Sequence, residues 1–413
     1  MTDTGEALIY LSAKEAAAEL SVSLSTLYAY VSRDLIRSEP LPNSRAHRYR
    51  GDDVRRLKQR NRSVRAPLGD QISDAHSALN FGMPVLDSAI TLIAGGKLYY
   101  RGVDVANLAP TASLEQIATL LWDCTDQQPF RDDNLPPRLP GFADALAGAQ
   151  GSSVPAIERC LATLPVAATS DAGIYNKTER GLAATGARIM RLVAATLAGT
   201  QPSADPIHEV VARSFTLGDR QAADLIRAAL VLCADHELNA SAFTVRCVAG
   251  TGATLYGALT AGICAAQGPL HGGLADRVER LLVDLANGRD IEAGVLQRLR
   301  DNETLPGFDH PLYPSGDPRG AILLEMTAQA YKGDPAFERA RRVADIMAEA
   351  GELAPNIDFA LAALGAALRL PPGTGLSLFV LGRTAGWVGH AIEQYRSGHM
   401  IRPRARYVGE TPK

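Results

Sequence analysis

Long apolar runs are missing from this 413-residue sequence: none approaches the roughly 20 residues that a membrane-spanning helix requires, so no membrane partner is expected. The opening stretch, MTDTGEALIYLS, lacks a basic patch followed by a long apolar core, and the protein is expected to be cytoplasmic. Cysteine is scarce. Cys124, Cys160, Cys233, Cys247 and Cys264 are odd in number, widely spaced and without a CxxC pair, which argues against a disulfide framework or a zinc site and reads as ordinary buried thiols. GxSxG does not occur, which removes the simplest hydrolase reading. HELNA (236–240) begins like the zinc motif HExxH but ends on Ala240, so no metal is expected. VAGTGATLYGALTAG (248–262) misplaces the third glycine for GxGxxG and reads as a closely packed small-residue helix. Internal repeats and low-complexity tracts are also missing.

What is present is a soluble globular composition, 46% hydrophobic and 21% charged, long enough for two or three domains. The net charge of −3 conceals an asymmetry: residues 1–66 hold 12 Lys+Arg against 8 Asp+Glu, and the remainder 30 against 37. A basic head on an acidic body suggests two modules with different partners. Residues 12–32, SAKEAAAELSVSLSTLYAYVS, have the length of a helix-turn-helix, with Ser12 able to cap the first helix and Ser23 or Ser25 the second. A hairpin-like SEPLPNSRAHRYR and a basic helix DDVRRLKQRNR follow, and residues 60–79 read as a linker. From there Ala/Leu-rich segments with helical spacing dominate, as at 114–122, 181–198 and 221–234, so the body is expected to be all-α. The Pro-, Gly- and Ser-rich stretch 129–155 reads as a surface loop.

Four stretches set polar or charged residues beside Gly or Pro at helix ends: HELNAS (236–241), GPLHGG (268–273), GFDHPLYPSGDPRG (307–320) and APNIDF (354–359). Each alone would pass for a turn. Arg383 in LFVLGRTAGW and Arg402 in MIRPRARY add arginines in apolar company, a costly setting unless each faces an anion, and the planar guanidinium fits a carboxylate. Histidines, one aspartate and several arginines suit a small polycarboxylate and acid/base chemistry on carbon.

With GGKLYYRGVDVANLA (95–109) ahead of them and IRPRARYVG behind, these motifs run in an order that resembles citrate synthases from about residue 80 to 409. The resemblance implies a mainly helical two-domain fold that closes around substrate, with a large domain at 67–272 and 376–413, a small domain at 273–375, and a homodimer. It implies condensation of acetyl-CoA with oxaloacetate to citrate and CoA, with no cofactor beyond that substrate; 2-methylcitrate synthase, using propionyl-CoA, is the near alternative. By the same resemblance His271 bonds the thioester carbonyl, Asp358 removes a methyl proton and His310 polarises the ketone. His236, Arg319, Arg383 and Arg402 then hold oxaloacetate, Arg402 from the other subunit. A helix opening after His271 is expected to keep its imidazole neutral, and the glycines beside it to let backbone approach substrate. Asp309, after Gly307 in the CoA-facing loop, stands where the family usually has glycine; its carboxylate could repel CoA phosphates or favour protonated His310. Ala360 and Leu361 stand where many members are bulkier or polar, so the resemblance does not fix the acyl donor. The first 66 residues resemble the winged helix-turn-helix of MerR-like and excisionase-like modules, which implies duplex DNA as a partner read by Ser25, Thr26 and Tyr28, with Arg33 and Arg48 near the phosphates. A regulator whose synthase body only senses oxaloacetate or CoA is the alternative from another class.

Overall fold

The structure is a computed structural model, and it describes residues 10–19, 27, 31, 36–40, 47–51, 53–54, 84–148, 154–216, 218–288, 290–351 and 353–410. Two compact units divide between Val85 and Leu86.

In the first unit β1 (Tyr10–Ser12) leads directly into α1 (Ala13–Glu19), and β2 (Ser38–Pro40) and β3 (His47–Arg50) complete an antiparallel sheet in the order β1-β3-β2. Ser12 caps α1 as its spacing suggests: its hydroxyl accepts from Glu15 N–H at 3.3 Å while the Glu15 carboxylate accepts from Ser12 N–H at 2.8 Å. Ala16, Ala17, Leu27, Ile36, Tyr49 and Val54 form the core. Of the residues expected to read DNA, Ser25, Thr26, Tyr28 and Arg33 lie outside the described residues. Arg48 is paired with Glu39 at 2.8 Å and stacked over Tyr10 on a part-exposed surface.

The second unit opens with an antiparallel sheet that the all-α expectation missed: β4 (Thr91–Ala94), β5 (Lys97–Tyr100) and β6 (Val103–Asp104), turned at Gly95-Gly96 with φ of 59° and 72°. Helices then follow in chain order. They are α2 (Val105–Leu108), α3 (Leu114–Leu121), α4 (Gly141–Ala147), α5 (Ala156–Ser170), α6 (Glu179–Ala198), α7 (Ile207–Thr216), α8 (Arg220–Cys233), α9 (Ala240–Gly250), α10 (Leu255–Ala266), α11 (Leu274–Asn287), α12 (Ile291–Arg300), α13 (Pro318–Ala330), α14 (Pro335–Gly351), α15 (Ile357–Leu368) and α16 (Thr374–Ser397). The three stretches singled out by spacing are α3, α6 and α8 to within two residues. Helix α4 interrupts the expected 129–155 loop, and 248–262 is not one helix: α9 ends at Gly250 and α10 begins at Leu255. Not all thiols are buried either, since Cys264 is exposed.

Two apolar clusters organise this unit. One gathers α3, α5, α6, α8, α10 and α16; the other gathers Val278, Leu285, Phe337, Val343, Phe359 and Ala363 from α11, α14 and α15. Helix α6 is long and apolar enough to cross a membrane by composition alone, yet 89% of its most apolar window is buried inside the protein, as expected for a helix hydrophobic on every side.

Candidate active site

All four singled-out stretches lead into helices, three of them through a side-chain cap, which explains those polar residues before it explains any chemistry. Asn239 caps α9 by accepting from Ser241 and Ala242 N–H, Asp317 caps α13 ahead of Pro318, and Asn356 caps α15 by accepting from Asp358 and Phe359 N–H. Capping fixes the loops, and the loops carry the reactive side chains inward.

His236 and His310 meet edge to face, with ring centroids 4.9 Å apart, and Tyr313 closes the group: its hydroxyl lies 3.0 Å from His236 Nε2. Arg319 sits 5.8 Å from the Tyr313 ring and is gripped in bidentate fashion by Asp317, with Nε to Oδ1 at 3.0 Å and Nη2 to Oδ2 at 2.8 Å. Burial alone would raise the Asp317 pKa, but the guanidinium and the N–H groups of Arg319 and Ile357 outweigh it and hold the carboxylate below its ordinary value. Arg383 is anchored differently. Its Nε donates to the Cys233 carbonyl at 2.7 Å, its guanidinium lies over Phe379, and no described carboxylate is within ion-pair distance. Burial lowers the Arg383 pKa, and Asp235, beyond ion-pair distance, supplies the opposing negative charge.

His310 is pushed down to about 4, first by burial and then by the Arg319 charge, with Asp317 acting in the opposite sense. The Leu312 N–H donates to its Nδ1 at 3.2 Å, so the neutral ring keeps its proton on Nε2 as a donor. Asp309 does not favour a protonated His310: it plays no part in that shift. Its own backbone is the unusual feature, exposed with φ of 57° in the left-handed region, and its N–H donates to the Ala354 carbonyl at 2.9 Å. Gly307 does need to be glycine, because at φ of 93° a Cβ would stand 2.7 Å from Val278.

His271 sits in the turn before α11 and is likewise pushed down to about 4, by burial first and by Arg383 and Arg319 second. Burial and two arginines thus keep the imidazole neutral, and α11 opens directly after it, as the spacing suggests. Its Nε2 lies 2.8 Å from Ser241 Oγ, which takes a hydrogen bond from Trp387 Nε1 at 3.1 Å, and Nδ1 has no protein partner among the described residues. The neighbouring glycines serve packing within the protein: a Cβ on Gly272 would strike Phe379 at 2.7 Å, and one on Gly273 the Gln267 carbonyl at 2.5 Å.

Asp358, in the first turn of α15, has a buried Oδ1 with no hydrogen-bond partner, and its pKa is raised from 3.8 to about 7. Burial drives the rise, Asp317 adds to it, and Arg319 and Arg383 oppose it. Burial likewise holds the His236 pKa well below its ordinary value, so the site has three neutral imidazoles, a carboxyl poised near neutrality, and two buried guanidinium groups, one of them without an ion pair. Such a set can move a proton at carbon and hold a dicarboxylate. Arg402 is not brought here; it is exposed on the C-terminal segment. Reasoning from sequence missed Ser241, Tyr313 and the buried Asp235–His390 pair at 3.2 Å beneath this site. Ser241 and Tyr313 lie within the motifs, and Tyr313 stands three residues after His310, a spacing that brings side chains together. Among the described residues no cluster of His, Cys, Asp or Glu is placed to hold a metal ion.

Comparison with known proteins bears on the same residues. The family model "Citrate synthase, C-terminal domain" matches residues 79–404, leaving the basic head outside it. "Citrate synthase 2" of Bacillus subtilis is 30% identical over 352 residues, covering 79% of this chain and 94% of its own length. The citrate synthase of Haloferax volcanii is 31% identical over 359 residues, covering 80% and 94%. The 2-methylcitrate synthase of Shewanella oneidensis is 35% identical over 190 residues, half of its own length. In fold, the ternary complex of carboxymethyl coenzyme A and oxaloacetate with citrate synthase from Thermoplasma acidophilum superimposes with a TM-score of 0.67 at 24% identity, covering 80% of this chain and 95% of that one. The family model alone spans most of the sequence, including every motif that supplies the site; the chain belongs to the citrate synthase family of enzymes.

Proposed function

We propose that the protein condenses acetyl-CoA with oxaloacetate, giving citrate and CoA. The observation that carries this reading is the Asp358 carboxyl, raised to about 7 and unpartnered at Oδ1, in a site whose histidines are neutral. Asp358 takes a proton from the acetyl methyl group while His271, its Nε2 accepting from the Ser241 hydroxyl, donates its Nδ1–H to the thioester oxygen, so the C–H electron pair becomes the enol double bond. The enol carbon attacks the ketone of oxaloacetate, and the developing oxyanion is met by the His310 Nε2 proton. Hydrolysis of the citryl thioester releases CoA. Arg319, Arg383 and His236 hold the carboxylates and carbonyl of oxaloacetate. The Thermoplasma acidophilum enzyme, similar in fold, forms a ternary complex with oxaloacetate and carboxymethyl coenzyme A, which supports this substrate pair.

The residues grouped around Val278, Phe337 and Phe359 act as a small domain, within 273–375, that closes on the rest and excludes water. Arg402 completes the site of a second copy. The C-terminal segment supports this, since Met400, Tyr407 and Val408 are 57%, 73% and 80% exposed and would be covered in a dimer.

The test is CoA thiol release by the full-length protein, comparing acetyl-CoA and propionyl-CoA, each with and without oxaloacetate. Acetyl-CoA should give the faster, strictly oxaloacetate-dependent release. Faster release from propionyl-CoA would assign 2-methylcitrate synthesis, and none from either would leave a body that only binds these molecules.

Asp309 gives a second expected result. Asp tolerates the left-handed region better than most residues, so Asp309→Gly should change stability by no more than about 1 kcal/mol. Removing the exposed carboxylate should tighten the apparent affinity for acyl-CoA, with a gain that shrinks as salt screens the repulsion. Titration at two ionic strengths checks this; an affinity unchanged at low salt would give Asp309 no part in CoA binding.

A further inference from the structure

Along α15 beyond Asp358 lies a cavity of about 280 Å³ bounded by α11, α14, α15 and the start of α16. Its α15 wall runs from Leu361, one turn after Asp358, to Arg369, and none of the acid/base groups His236, His271, His310 and Asp358 lines it. Leu282, Leu285, Val343 and Ala362 give it an apolar wall.

Gly365 is the unexpected member of that wall. It stands inside α15, where glycine is the poorest helix former after proline, and a Cβ built on it would meet no atom within 4 Å. Neither a positive φ nor a close contact asks for glycine here. Its missing side chain leaves the cavity open, and a larger residue would project into it.

The ionisable residues of the lining are Glu279, Arg339 and Arg369. Glu279 is tied to the backbone, accepting from Gly373 N–H at 3.1 Å, and burial raises its pKa. Arg369 is tied to Asp334 at 2.8 Å. Arg339 has no ion-pair partner among the described residues, which leaves one uncommitted cation beside an apolar chamber.

We propose that this cavity binds a small amphipathic monocarboxylate of roughly six to eight carbons, a length suited to a chamber at the lower end of ligand-pocket volumes. The alkyl chain lies against Leu282, Leu285, Val343 and Ala362 in the space that Gly365 leaves open, and the carboxylate pairs with Arg339.

Octanoate is the probe, titrated calorimetrically into the full-length protein, with octylamine as the cationic control of equal length. Saturable single-site binding of octanoate is expected, weakened about tenfold or more by Gly365→Leu and by Arg339→Ala, with octylamine at least about tenfold weaker than octanoate. Neither residue belongs to the proposed catalytic machinery, so CoA release without octanoate should be retained in both variants. Arg339 is exposed, and Arg339→Ala keeps the test decisive if Gly365→Leu misfolds. The proposal is overturned by absence of saturable octanoate binding, by equal affinity in wild type and Arg339→Ala, or by octylamine binding as tightly. Because the readout is binding, a failure here is distinct from a failure of the proposed reaction.

Discussion

Asp358→Asn should lower turnover by at least about a hundredfold, the scale on which removing a general base acts, while leaving the fold intact. The same substitution should make the protein more stable at neutral and higher pH. In the folded chain the Asp358 pKa lies near 7 against an ordinary 3.8, so its proton is retained on folding and the charged form is disfavoured. The stability it contributes is fully present below about pH 4 and is lost as the pH rises through about 7. Asparagine never carries the charge. The variant should therefore exceed wild type by on the order of 2–4 kcal/mol above pH 7, with the advantage gone near pH 4. Denaturant titrations at pH 4.5 and 8 read this directly. An Asn variant that is active, or less stable than wild type at pH 8, would mean that the carboxyl is neither the base nor held in an unfavourable setting.

Asp317→Ala should be the most destabilising single change near the site. Asp317 and Arg319 side chains are 0% and 3% exposed and form a bidentate pair, and Asp317 also accepts from Ile357 N–H at 3.1 Å and caps α13. Removing it strands a buried guanidinium, a loss of about 3–5 kcal/mol. Arg319 would also lose the partner that aims it at the cleft, so the apparent affinity for oxaloacetate should fall in whatever fraction still folds. Chemical denaturation compared with Arg319→Met separates the two effects. Stability near that of wild type in Asp317→Ala would show that water reaches Arg319.

The legible parts of this sequence are those governed by local rules. Helices α3, α6 and α8 follow from apolar spacing, and Ser12 caps α1 from its place before AKEAAAE. The β4–β5–β6 sheet escapes a reading that treats GGKLYYRGV only as part of a family pattern, although two glycines between apolar pairs signal a hairpin turn. At the site, the motifs supply the residue types, but not what sets their charge. The neutrality of His271 is expected from the following helix, but burial and the charges of Arg383 and Arg319, which also lower its pKa, have no local signature. Arg383 stands 112 positions along the chain from His271, and only the folding of α16 against α8 and α11 brings the two together. Likewise no local pattern could show that Asp235 and His390, 155 positions apart, meet in the core, or that Asp309 occupies the left-handed region.

The central claim, that a carboxyl held near neutrality acts as base beside histidines held neutral, is tested most directly by the pH profile of kcat/KM for acetyl-CoA at saturating oxaloacetate. Asp358 must be ionised to accept the proton, whereas His271 and His310, at about 4, are already neutral well below pH 6. kcat/KM should rise about tenfold per pH unit up to a break near pH 7 and level off above it, with a single acid limb. A profile flat between pH 5.5 and 8, or one that falls across that range as a required proton is lost, would contradict it.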